Sequence, residues 1–80
     1  MKVDADAPEP PYRQLAGILR AEIESGERPP RSRLPSINQL AADHGIATAT
    51  VVKALRILKD EGLITGTAGY GTFVAGGQDG

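Results

Sequence analysis

Apolar residues recur at three- and four-residue intervals along three stretches of this 80-residue chain, after which the period changes. Tyr12, Leu15, Ala16, Leu19 and Ile23 mark the first stretch, with the spacing of one helical face. Pro11 suits a first helical turn, where its missing N–H is no loss, and Gly26 supplies a stop. The pattern predicts a helix over residues 11–25, with Arg13, Arg20, Glu22 and Glu24 toward solvent. Ile37, Leu40 and Ala41 mark the apolar face of a second helix, residues 37–44. Ser36 caps it, and Gln39 three residues on completes a capping box. Gly45 stands where the chain must reverse, a place where a left-handed conformation costs glycine little. Ile46 re-enters the core, and Val51, Ala54, Leu55 and Leu58 define a third helix from residue 48 or 49 to about 61, stopped by Gly62. Thr48 is the better cap by side chain, and Ala47 is equally well placed.

The texture then turns extended. Leu63-Ile64-Thr65 and Thr72-Phe73-Val74 flank a glycine-rich connection and read as a β-hairpin, with Leu34 a source of a short third strand. Two short helices joined by a glycine turn form a helix-turn-helix, which places its second helix in a DNA groove. Three helices and a hairpin make the fold mainly α, a winged helix-turn-helix. Its expected core is Tyr12, Leu15, Leu19, Ile23, Leu40, Ile46, Val51, Leu55, Leu58, Leu63, Ile64 and Phe73. Residues 11–75 form the domain. Residues 1–10, acidic and proline-bearing, read as a flexible leader, and residues 76–80 as a flexible tail.

Charge modifies this picture. A net charge of −1 speaks mildly against nucleic acid. Its distribution speaks the other way. Residues 1–27 carry Lys2, Arg13 and Arg20 against Asp4, Asp6, Glu9, Glu22, Glu24 and Glu27. Residues 28–75 carry Arg28, Arg31, Arg33, Lys53, Arg56 and Lys59 against Asp43, Asp60 and Glu61, so the positive half holds the helix-turn-helix. Cysteine is absent, which excludes disulfides and thiolate metal sites. No signal peptide or membrane-length apolar run is present, so a cytoplasmic protein is expected.

Catalytic and metal chemistry find little purchase. His44 is the single histidine and, without cysteine, makes no metal site. Asp60 and Glu61 are adjacent on a helix and point about 100° apart, which is wrong for a carboxylate pair. Ser36 has no base arranged with it. Gly66, Gly69 and Gly71 precede no Lys-Ser/Thr helix start and read as a wing turn instead of a phosphate cradle. The chain is expected to be neither an enzyme nor a cofactor binder. Arg31 and Arg33, just ahead of the capped helix, read either as phosphate contacts or as an ordinary solvated loop.

Tyr12-Arg13-Gln14-Leu15, Leu34-Pro35-Ser36, Leu40-Ala41, Gly45-Ile46, Thr50-Val51, Ala54-Leu55, Glu61-Gly62-Leu63-Ile64 and Gly69-Tyr70-Gly71-Thr72-Phe73-Val74 stand in a telling order. Together they resemble the DNA-binding domain of GntR-type bacterial transcription regulators over about residues 11–75. The resemblance implies a third helix in the major groove, a wing at the minor groove, and a homodimer on a short palindrome. The implied DNA-facing set is Ser36, Asn38, Ala47, Thr48, Ala49, Thr50, Val52 and Lys53, and in the wing Ala68, Gly69 and Tyr70; Arg33 joins it from the reading of the basic loop. The family commonly has arginine where this chain has Asn38, Thr48 and Val52. Losing three cationic contacts lowers the salt slope by roughly 0.9 each, and an A·T-leaning, weakly held site is expected. The family also continues into a larger effector-binding domain, so the chain reads as a fragment or as a free-standing domain. The alternative function is a winged-helix module whose arginine-poor face binds a protein.

Overall fold

The computed structural model describes residues 2–67 and 71–76. Helix α1 spans Pro11–Glu24, α2 Ile37–His44 and α3 Thr48–Asp60; strands β1, Ile64–Thr67, and β2, Gly71–Val74, follow. The winged helix-turn-helix is therefore as the periodicity predicts. Each helix begins and ends for a local reason. Pro11 opens α1. At α2 the Ser36 hydroxyl accepts the Gln39 N–H at 3.0 Å. The reciprocal half of the capping box does not form. Gln39 instead donates from its amide to the Asp43 carboxylate at 2.8 Å, because a charged acceptor one turn along competes for that side chain. Gly45 takes φ 64°, and the following Ile46 N–H closes back on the Ala41 carbonyl at 3.1 Å. This left-handed stop turns Ile46 inward. Helix α3 starts from Ala47 with no side-chain cap, and at its end the Leu63 N–H closes on the Leu58 carbonyl at 3.0 Å.

The core lies between the three helices and one face of the hairpin. Leu15, Leu19, Leu40, Val51 and Leu58 are its most buried large side chains. Ala16 on α1 and Ala54 on α3 are also buried, and α1 packs on α3. Tyr12, Ile23, Ile46 and Leu63 pack at the margin.

One expectation about the core needs correction. Phe73 pairs with Thr65 and is only half-buried, while Val74 pairs with Ile64 and both are buried. Successive strand residues face opposite sides, so a sheet that buries Val74 turns Phe73 away. Ile37 is 37% exposed. Helical side chains lean toward the N-terminus, and at the first residue of α2 there is no preceding turn to lean on.

A third extended segment does join the hairpin. The Arg31 N–H donates to the Val74 carbonyl, Val74 N–H to Ser32, and Leu34 N–H to Thr72, at 2.8–2.9 Å. The bridge itself is Arg33 with Phe73, one residue before the expected Leu34, which is buried instead. The N-terminal residues, read as flexible, make defined contacts. Val3 packs against the core and its N–H donates to His44 Nδ1 at 3.2 Å, and Gln14 exchanges hydrogen bonds with Asp4. No helix among the described residues is long and apolar enough to cross a membrane.

Candidate nucleic-acid interface

Helix α3 divides sharply into two faces. Val51, Ala54, Leu55 and Leu58 are buried against the rest of the domain. Thr48, Ala49, Val52, Lys53 and Arg56 are exposed on the other side. At about 100° per residue, Ala49, Lys53, Arg56 and, at the last turn, Asp60 point furthest from the core, with Val52 displaced toward α2 and the hairpin. Thr50 is half-buried, while Ala47 is exposed at the helix start. Ser36 and Asn38 are exposed at the start of α2, with the Ser36 hydroxyl engaged as cap. The expected wing residues Ala68, Gly69 and Tyr70 lie outside the described residues.

Cations frame this face. On one side the Lys53 ammonium sits 4.1 Å from the centre of the Tyr12 ring, a cation–π contact that ties it to α1 while leaving it at the surface. Arg13 Nε donates to the Tyr12 hydroxyl at 3.3 Å. That hydrogen bond, then the Arg13 charge, lowers the Tyr12 pKa, with Lys53 a smaller contributor. On the other side Arg56 and Lys59 line a groove of about 250 Å³ between α2, α3 and the hairpin. Arg33, bridged to Phe73, lies instead beside the start of β2. Its guanidinium lies so near Gly71 that a Cβ there would meet Nε at 3.0 Å. Gly71 also has φ 102°, so β2 opens with the one residue type that fits both demands.

Arg56 was not among the residues the sequence resemblance singled out. Its signal was present in the spacing, four residues after Val52 and three after Lys53, which puts all three on neighbouring turns. Among the described residues, the ion pairs are Arg20 with Glu61, at the C-terminal end of α3, and Arg28 with Glu22. The cations near α3's exposed face form none.

Known proteins share this fold. The family described as "Bacterial regulatory proteins, gntR family" matches residues 11–74. A histidine utilization repressor from Klebsiella aerogenes is 42% identical over 69 residues, covering 86% of this chain and 29% of the relative. The chain thus spans less than a third of that relative's length. YtrA from Sulfolobus acidocaldarius, a GntR-family transcription factor, superimposes with a TM-score of 0.84 at 36% identity, over 92% of this chain and 78% of that one. The AraR DNA-binding domain, in complex with its operator ORX1, superimposes with a TM-score of 0.87 at 30% identity, over 94% and 96% of the two chains. Family match, relatives and fold agree, and the chain belongs to the GntR family of bacterial regulatory proteins.

Proposed function

We propose that the chain binds duplex DNA sequence-specifically and forms the DNA-reading part of a bacterial transcription regulator working in the cytoplasm. Helix α3 enters the major groove and the hairpin wing approaches the minor groove. The observation that carries this reading is the division of α3. One face is sealed into the core, and the other presents Thr48, Ala49, Val52, Lys53 and Arg56 with cations around it. The first turns of a recognition helix meet base edges, which assigns Thr48, Ala49 and Val52 to the bases. Lys53, Arg56, Lys59 and Arg33 then meet phosphate. Asn38 and Ser36 approach from α2, and Ala47 and Thr50 flank the helix start. Ala68, Gly69 and Tyr70 belong to the wing by family resemblance. Two copies on a palindrome are the expected arrangement.

Ile37 and Val52, exposed by 37% and 38%, favour a second reading, in which the same face docks a protein. Selection of the chain against random duplexes at low salt separates the two. Enrichment of a short, palindromic, A·T-leaning motif is the expected result. Recovery of no motif contradicts the DNA reading.

A further inference from the structure

The groove beside α3 carries an observation that phosphate and hydrogen-bond contacts leave unused. Ile37 and Val52 are the exposed large hydrophobic residues of the described chain, and both line it. Leu55 and Ile64, themselves nearly buried, continue the apolar surface between them. Arg56 and Lys59 stand along the same groove and make no ion pair among the described residues. An apolar strip with cations beside it fits a polyanion that carries apolar groups at a fixed depth. The major groove of DNA is such a surface, because the C5-methyl of thymine is its apolar feature and phosphates rim it. Ala49, one turn before Val52 and Lys53, adds a small methyl and leaves room for close approach. No side chain at Thr48, Ala49 or Val52 can make the bidentate contact that reads guanine.

We infer that Val52, flanked by Ile37 and Ala49, is a specificity-determining residue that reads the C5-methyl group of thymine. The base preference of this chain therefore rests on a methyl group in van der Waals contact more than on a hydrogen-bonding pattern. The inference rests on α3 entering the major groove, as proposed above. It goes beyond that reading by naming the atoms recognised.

Replacing thymine by deoxyuridine removes that methyl and leaves every Watson–Crick and groove hydrogen-bonding group in place. The test uses the full 80-residue chain and a duplex enriched from a random pool, with each thymine of the site changed to deoxyuridine in turn. At one or two positions per half-site, affinity should fall about three- to fivefold, the amount associated with one buried methyl group. Val52→Ala should lower affinity for the thymine duplex by a similar factor and abolish the difference between thymine and deoxyuridine at those positions. Equal affinity for both duplexes at every position, with an enriched motif still bound, overturns the inference and leaves the DNA reading standing. So does a thymine–deoxyuridine difference that persists unchanged in Val52→Ala. Failure to bind any duplex at low salt overturns both.

Discussion

Two charged regions of this small domain behave differently. On the side of α1, two pairs of opposite charges are tied together. Arg20 grips Glu61 through two hydrogen bonds of 2.9 and 2.8 Å, linking α1 to the end of α3, and Arg28 pairs with Glu22. On the outer face of α3, Lys53 leans on an aromatic ring, and Arg56 and Lys59 form no ion pair among the described residues. The first arrangement closes on itself and serves the fold. The second sets positive charge, unpaired among the described residues, beside an exposed apolar strip, which costs little in water and gains most when a polyanion arrives. A chain of net charge −1 can therefore present a cationic face, because most of its acids lie elsewhere in the chain.

The comparison breaks most completely if the floor shared by both regions is removed. Leu58→Ala empties a fully buried site and should destabilise the domain by about 2–5 kcal/mol, read by thermal denaturation, with loss of both faces together. Gly45→Val should cost about 1–3 kcal/mol. A Cβ there meets nothing within 4 Å, so the penalty comes from forcing a branched residue to φ 64° instead of from a clash. An unchanged melting temperature in Gly45→Val would contradict that account of the turn.

Surface substitutions should separate the regions. Arg56→Ala is expected to weaken duplex binding across sequences and to lower the slope of log affinity against log salt by about 0.9. Arg20→Ala should leave that slope where it is. The smallest effect belongs to the Arg20–Glu61 pair. The Arg20 hydrogen bond holds the Glu61 carboxyl below its ordinary range, so the unfolded chain takes up that proton first. The pair's contribution is whole at neutral pH. It is lost as pH falls from the ordinary carboxylate range through the lowered value of the folded state. Denaturant midpoints across that acid window should converge for the natural chain and Glu61→Gln, and a constant gap between them would contradict the assignment.

Much of this could be read from residues alone, for identifiable reasons. Local signals determine the helix ends, and Pro11, Ser36, Gly45 and Gly62 stand within a residue of where the structure uses them. What escaped depends on register or on competition between side chains. Phe73 and Val74 are both strongly apolar, and only the pairing of Val74 with Ile64 decides which is buried. Gln39 suits a capping box, but a carboxylate at Asp43 takes its amide. At the interface, family resemblance drew attention to Asn38, Thr48 and Val52, where arginines are missing. It passed over Arg56, whose place on the exposed face follows from helical spacing.

The central claim is that α3's exposed face is the surface that meets DNA. Its most direct test is a titration of the isotope-labelled chain with an enriched duplex at low salt, followed by backbone amide NMR. Shift changes should concentrate on residues 36–38, 47–53 and 56, with the outer side of α1 unmoved. Changes centred on α1 and the Arg20–Glu61 side, with α3's exposed face silent, would contradict it.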